Sequence, residues 1–336
     1  MATFTIYQLH FNSPLHIADR HEAADVSLKT VQSDTLMAAL FSCLAKTGKD
    51  MPANGDLGFV ASSLFPFYQK DAGSNPVFFL PLPMSAEQAS IKDPSMAKRI
   101  KKVKWASSNL YSRILAGESN VYGTTEDDFS YVHGAYLTNM EMPDENDDFI
   151  VSSVMQRVKI EDRTGRENAL PYFVDRVFFK DFSGLYFLVA GDTEMADKAV
   201  ALLSEEGLGT DRNVGFGGFS YSKGQIDIET PENTGHQVSL SVLIPESQEV
   251  LQEMLGSEAV AYDFERRGGW ITSFPYNTLR KDAVYAFLPG SVFKSTDKSV
   301  MGKIVDLAPS GINGMAHPVW RDGRAIMLPI RRNVQL

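Results

Sequence analysis

Gly207–Phe219 reads GLGTDRNVGFGGF, a short loop holding Gly207, Gly209, Gly215, Gly217 and Gly218 together with Arg212, Phe216 and Phe219. Before it, Thr193–Glu206 has apolar positions at Met195, Ala199, Leu202 and Leu203, which is helical spacing. After it, Phe219–Ile228 reads as a strand. That order excludes the nucleotide loops it superficially resembles. A dinucleotide fingerprint needs glycine where Arg212 stands, and a P-loop needs Gly-Lys-Ser/Thr; both run strand, loop, helix. Glycines allow positive φ and close backbone approach, and successive N–H groups can then face a phosphate. Arg212 adds a bidentate cation, and Phe216 and Phe219 add faces for base stacking. The same residues also suit a flexible turn with Phe216 or Phe219 anchored in a core. The chemistry alone leaves both readings open.

Upstream, Thr3–Phe11 (TFTIYQLHF) alternates as a half-buried strand does. Ser33 or Asp34 is placed to cap the helix that follows, LMAALFSCLAKTG, which Gly48 ends. Val77–Leu82 reads as a strand, residues 85–118 as a polar and basic insertion outside the core, and 119–150 as an acidic, mobile loop. Val151–Ile160 and Ala169–Phe179 flank Asp162–Arg166 (DRTGR) and predict a hairpin. Gly184–Ala190 is a strand. This order, β-α-β, insertion, hairpin, β-α-β, approaches a split βαβ or ferredoxin-like plan. Pro231–Gly235 suits a linker. A second round follows. Strands are expected at Val238–Ile244, Tyr262–Ser273, Ala283–Leu288, Gly302–Leu307 and His317–Ile330, with a helix at Ser247–Leu255 and an Asp322-Gly323 hairpin turn. The expected architecture is α+β: two ferredoxin-like (RRM-like) domains at 1–232 and 233–336. The first carries the insertion at about 85–150, the hairpin at about 151–179 and the glycine-rich loop.

The composition is that of a globular protein, 43% hydrophobic, and the single Cys43 excludes an intrachain disulfide or a Cys-based zinc site. Cys43 reads as a buried small residue, and this cysteine usage suits the cytoplasm. The start MATFTIYQLHF lacks a signal-peptide pattern, and no run reaches the ~18 apolar residues of a membrane helix. A net charge of −10 argues against nucleic acid, yet much of the acid sits in Glu126–Asp128 and Glu141–Asp148. Basic groups cluster at Lys98–Lys104, at Arg157/Lys159/Arg163/Arg166, at Arg266/Arg267 and at Arg331/Arg332. Each fits a solvated face or one wall of a basic groove. Lys101, Lys102 and Lys104 beside Trp105 fit RNA stacking, a protein-facing surface or a partly buried helix.

GLGTDRNVGFGGFSY resembles the glycine-rich loop of the RAMP superfamily, the ferredoxin-like proteins of CRISPR systems. The opening FTIYQLHFNSPLHIADR with SDTLMAAL resembles the Cas-five-like RAMP family that supplies the fourth subunit of type III-A (Csm) effectors. So do RVKIEDRTGRENALPYF (Arg157–Phe173), AFLPGSVF (Ala286–Phe293) and HPVWRDGRAIMLPI (His317–Ile330). The resemblance covers most of the chain, and the order and spacing of the motifs are more specific than any one of them. It implies a non-catalytic RNA-binding subunit that holds the crRNA 5′ handle in antiviral defence. The partners it implies are the large polymerase-like signalling subunit and the adjacent backbone RAMP subunit. It places Gly207, Gly209, Arg212, Gly215, Phe216, Gly217 and Gly218 in the handle-facing loop. Arg157, Lys159, Arg163 and Thr164 fall on the projecting hairpin, and His16 and Arg20 in the loop after the first strand. The insertion has no aligned motif, and the acidity exceeds that expected of an RNA binder.

No metal or cofactor is expected. His16 and His21 share a loop with Asp19, Arg20 and Glu22, but no third ligand is evident. The enzymatic alternative is a metal-independent crRNA-processing endoribonuclease of the same superfamily, with His16 and Lys29 activating a 2′-OH. Such enzymes carry the glycine-rich loop near the C-terminus, whereas about 115 residues follow it here. A further alternative is a purely structural scaffold, the RNA being held by other subunits.

Overall fold

Tyr186, Phe187, Leu188 and Val189 are all buried, so the strand carrying them is covered on both faces. This explains its unbroken apolar run GLYFLVAG, where a half-solvated strand would alternate. The computed structural model describes residues 1–332 except 19–23, 49–50, 85–100, 119–130, 141, 143–147, 161–168, 181, 233, 297 and 313.

The elements run β1 (Ala2–Phe11), α1 (Ser33–Ala45), β2 (Phe59–Ala61), β3 (Phe65–Tyr68), β4 (Val77–Pro81), β5 (Trp105–Ser107) and α2 (Ser108–Leu115). Next come β6 (Tyr131–His133), β7 (Tyr136–Thr138), β8 (Ile150–Ile160), β9 (Ala169–Phe179), β10 (Gly184–Gly191), α3 (Thr193–Glu206) and β11 (Phe219–Ile228). The C-terminal region contains β12 (His236–Ser239), α4 (Gln248–Met254), β13 (Phe264–Arg267), β14 (Val284–Phe287) and β15 (Val292–Lys294). It continues with β16 (Val300–Met301), β17 (Ile304–Asp306), β18 (Trp320–Asp322) and β19 (Ala325–Ile330). The fold is mixed α+β, mostly sheet with few helices.

The large sheet runs β11-β1-β10-β3-β4-β5-β7-β6, with β2 also on β10. β1 pairs antiparallel with β10 and β11, and β10 antiparallel with β3. One face packs Tyr7, Leu9, Leu185 and Phe187 under Leu36 and Leu40 of α1 and Ala199 and Leu203 of α3. The opposite face packs Ile6, Tyr186 and Leu188 against Val238, Ile326 and Leu328 of the C-terminal sheet, whose order is β15-β12-β19-β16. β1 is therefore buried on two sides through its centre, more than its alternation predicts. β8 and β9 pair antiparallel in full register from Ile150↔Phe179 to Ile160↔Ala169, as a separate ribbon.

The structure corrects several expectations. β5 joins the large sheet, and Leu110, Tyr111 and Leu115 of α2 are wholly buried, so residues 105–115 are core. Their apolar residues are few but fall on one helical face. Lys101, Lys102 and Lys104 are exposed around buried Val103, and Trp105 packs 5.9 Å from Phe65. Asp322-Gly323 does not join a hairpin: β18 pairs with β17 and β19 with β12 and β16. Asp322 instead accepts from the Arg324 backbone N–H and guanidinium, which turns the chain between two sheets. Neither Ser33 nor Asp34 caps α1, whose N-cap is Gln32.

Both side chains are used elsewhere. The Ser33 hydroxyl accepts from the Val242 N–H at 2.8 Å. Asp34, fully buried, takes a bidentate fork from Arg267 (both contacts 2.9 Å) and a further bond from Arg321 at 2.5 Å. Burial would raise the Asp34 carboxyl, but the Arg321 and Arg267 guanidiniums outweigh it and hold it at about 2.

Asp34→Asn should cost roughly 3–5 kcal/mol in urea unfolding, because it leaves the buried Arg321 without a carboxylate and leaves Arg267 only Glu265. In the native protein the pair's contribution is complete above the unfolded carboxyl value of about 4. It is lost as pH falls from there toward about 2, and Asp34→Asn should flatten that part of the pH–stability curve. A loss below about 1 kcal/mol, with the curve unchanged, would remove Asp34 from this role.

Candidate nucleic-acid interface

α3 starts on Asp192, whose carboxylate accepts from the N–H groups of Glu194 and Met195, and it ends at Gly207 with φ +78°. The loop then folds back on itself and on the segment after β1. Leu208 N–H donates to the Gly217 carbonyl at 2.9 Å, Gly217 N–H to Pro14 at 2.8 Å, and Thr210 N–H to His16 at 3.0 Å. Gly218 N–H donates to the Ser13 hydroxyl at 2.7 Å. Much of the expected nest of phosphate-facing N–H groups is thus spent internally. A Cβ on Gly217 would lie 1.8 Å from the Leu208 carbonyl oxygen, so this glycine serves close backbone packing. Gly215, at φ +88°, has open space around it, and its conformation alone favours glycine. Gly207 and Gly209 likewise back onto Gly217 and His16 carbonyls.

Phe216 and Phe219 are 7% and 4% exposed. Both rings pack inward and anchor the loop, so neither face is open to solvent here as a stacking role requires. The face of Phe216 is instead covered by a cation. Arg157 of β8 places its guanidinium 4.7 Å from the ring centroid and its Nη1 2.7 Å from the Asp211 carboxylate. Asp211 itself sits in the left-handed region at φ +58°, opening the short 3-10 turn Arg212–Val214. Hairpin and loop, about fifty residues apart in sequence, are therefore locked together by one arginine.

Arg212 remains partly exposed and reaches Glu206 at 3.3 Å; Glu206 also takes Lys46 at 2.5 Å. Lys46, and then Arg212, hold the Glu206 carboxyl below its ordinary value. Glu206 and residues 209–213 line an open groove of about 530 Å³, whose other lining residue is Thr272 from the C-terminal region.

His16 does not reach this groove. It is 5% exposed, with Nδ1 2.8 Å from the Asp175 carbonyl, and its own carbonyl supports Thr210. It therefore sits beneath the loop, away from the surface on which an RNA contact was expected. Lys29, its partner in the nuclease alternative, donates to the Ile150 carbonyl at 3.3 Å. Lys159 lies on β8 opposite Leu170. Arg20, Arg163 and Thr164 lie outside the described residues. The hairpin exposes Val154, Val158 and Phe173. Sequence reasoning missed Asp211 and Thr272: the first was quoted without a role, and the second has no local signal.

Comparison with known proteins gives a consistent picture. Residues 232–330 match the family model of the CRISPR Csm4 C-terminal domain. Over 138 residues the chain is 29% identical to the CRISPR system Cms protein Csm4 of Thermococcus onnurineus, covering 40% of this chain and 42% of that one. Over 144 residues it is 28% identical to the Streptococcus thermophilus protein of the same name, covering 41% and 46%. The match thus spans less than half the length of these curated relatives. In fold the chain is similar to a chain of the solved Csm3-Csm4 subcomplex of the type III-A CRISPR-Cas interference complex. That likeness has a TM-score of 0.61 and 17% identity, over 98% of this chain and 100% of that one. It is similar also to a chain of the Csm1-Csm4 cassette solved with cA4, with a TM-score of 0.56 and 19% identity, over 98% of each. The resemblance to the fourth Csm subunit read from the sequence is borne out.

Gly217→Ala should lower stability by more than about 2 kcal/mol, since it must move the Leu208 carbonyl, whereas Gly215→Ala should cost only the left-handed backbone term of roughly 1–2 kcal/mol. Urea unfolding of both variants checks this. Equal losses would mean that the close backbone packing contributes nothing.

Proposed function

We propose that this chain is the non-catalytic crRNA-binding subunit of a type III-A CRISPR ribonucleoprotein, holding the crRNA 5′ handle in antiviral defence. In this reading it links that end to the large signalling subunit and lies beside a backbone RAMP subunit, in the cytoplasm. The observation that carries it is Arg157, which joins the projecting hairpin to the glycine-rich loop through Asp211 and Phe216. One surface is thereby built from the two elements that the family resemblance assigns to the handle. The solved relatives, assembled with Csm1 and Csm3, support the choice of partners. The antiparallel order β11-β1-β10-β3 supports reading 1–232 as a ferredoxin-like RAMP domain, because it is the order of a split βαβ repeated once. The family match beginning at residue 232 supports 233–336 as the second domain.

Burial of His16 and the engagement of Lys29 with the Ile150 carbonyl speak against the nuclease alternative. Among the described residues, no helix is long and apolar enough to cross a membrane. The acidity is accommodated locally: around the groove, Glu206 and Asp211 each already hold a cation.

Arg157→Ala and Arg212→Ala should each weaken crosslinking to the crRNA 5′ end, and each should reduce the salt slope of binding by roughly 0.7 if one phosphate contact is lost. Arg157→Ala should weaken it more, because it also leaves the Asp211 carboxylate facing the RNA. Unchanged crosslinking in both would favour a scaffold. Site-specific cleavage of repeat RNA by the purified chain in EDTA would overturn the non-catalytic assignment.

A further inference from the structure

Thr272 belongs to a ribbon that stands across the groove from the glycine-rich loop. Its two arms, residues 269–273 and 279–281, meet at one isolated bridge. Ile271 N–H donates to Leu279 at 2.9 Å, Lys281 N–H to Gly269 at 3.0 Å, and Trp270 bridges to Arg280. Side chains alternate along such a ribbon, with same-side neighbours about 7 Å apart. Ile271 is 4% exposed, so alternation puts Trp270 and Thr272 together on the other side of the ribbon, and of these two Thr272 lines the groove. Trp270 is 47% exposed, and the Arg280 guanidinium lies over its ring at 4.7 Å.

We propose that this ribbon is the second wall of the RNA groove, and that the Trp270–Arg280 stack is a platform for a base of single-stranded RNA. The inference rests on the RNA-binding function proposed above and assigns that site its missing aromatic element. The glycine-rich loop supplies none, because Phe216 and Phe219 are buried. An indole half open to solvent, with a guanidinium plane on it, offers what a base requires: a flat apolar face and a cation. The electrostatics agree. Glu206 is held by Lys46 and Arg212, and Asp211 by Arg157, so both carboxylates that line the groove already hold a cation. The platform is also held in place before any ligand arrives. Arg321, tied to Asp34, donates to the Gly268 carbonyl at 3.0 Å at the ribbon's base. Ser273 bonds His317 at 2.8 Å, and the Tyr276 hydroxyl accepts from Ala316 at 2.9 Å near its tip. Little ordering remains to oppose binding.

The test uses the full chain and a 3′-fluorescein single-stranded RNA carrying the repeat-derived 5′ end of the crRNA. Anisotropy should show Trp270→Ala weakening binding by roughly fivefold to a hundredfold, the range for losing one base–aromatic stack. Trp270→Phe should retain most of the affinity but lose much of the RNA-induced quenching of tryptophan fluorescence, the remaining tryptophans being Trp105 and Trp320. This readout does not depend on Trp270→Ala folding well. If Trp270→Ala and Arg280→Ala bind as the parent does while Arg157→Ala and Arg212→Ala are weakened, the second wall is disproved and the RNA-binding function stands. Quenching unchanged in Trp270→Phe would likewise disprove it. If the parent chain does not bind the RNA, the RNA-binding function fails and this inference with it; if the parent binds and all four alanine variants match it, the RNA lies elsewhere and this inference fails while the RNA-binding function stands.

Discussion

Asp34 lies in the first turn of α1 with no solvent around it, and its two oxygens are divided between guanidiniums from the C-terminal region. An isolated carboxylate there would be neutralised or expelled; clamped by Arg267 and Arg321 it stays ionised. The same arginines hold the chain around them. Arg321 donates to Gly268 and thereby fixes the base of the ribbon that carries Trp270. Ser33, beside Asp34, accepts from Val242. The N-terminal helix, the C-terminal sheet and the far wall of the groove thus share one buried charge centre.

Much of the secondary structure was legible. Thr193–Glu206 and Phe219–Ile228 fall where spacing predicts them, and the hairpin strands differ from expectation by one residue at Ile150. These elements carry their own local signals: a capping Asp192, a closing Gly207, and a Thr-Gly turn between two strand-like runs. Residues 105–115 failed because their apolar positions are sparse, and only the partner face shows that Leu110, Tyr111 and Leu115 are enough. The Asp322-Gly323 pair failed for the opposite reason: a strong local turn signal sits where the chain changes sheets.

The site was legible as a set of residues and not as a set of roles. The glycines, Arg212 and Arg157 do come together, yet four of the five glycines serve packing of the loop on itself or on the segment after β1. Phe216 illustrates the difference. An aromatic beside an arginine in a glycine-rich loop has the composition of a stacking site. Its partner proves to be Arg157 from the hairpin, and its ring is lost to solvent. No local pattern encodes a contact between residues 157 and 211. Likewise the net charge of −10 is a whole-chain sum that ignores which carboxylates already hold a cation.

The separation of 287 residues between Asp34 and Arg321 bears on how the protein is made. On the ribosome α1 emerges long before Arg321, and loop closure over that span carries an entropic cost that local contacts cannot offset alone. Until the distant arginines are synthesised, the apolar run of β10 has one uncovered face and Asp34 has no counter-ion. The nascent N-terminal half therefore passes through a sticky, incompletely paired stage that a chaperone can recognise. Completion of the buried charge centre marks the end of that exposure and ties the first helix to the C-terminal region.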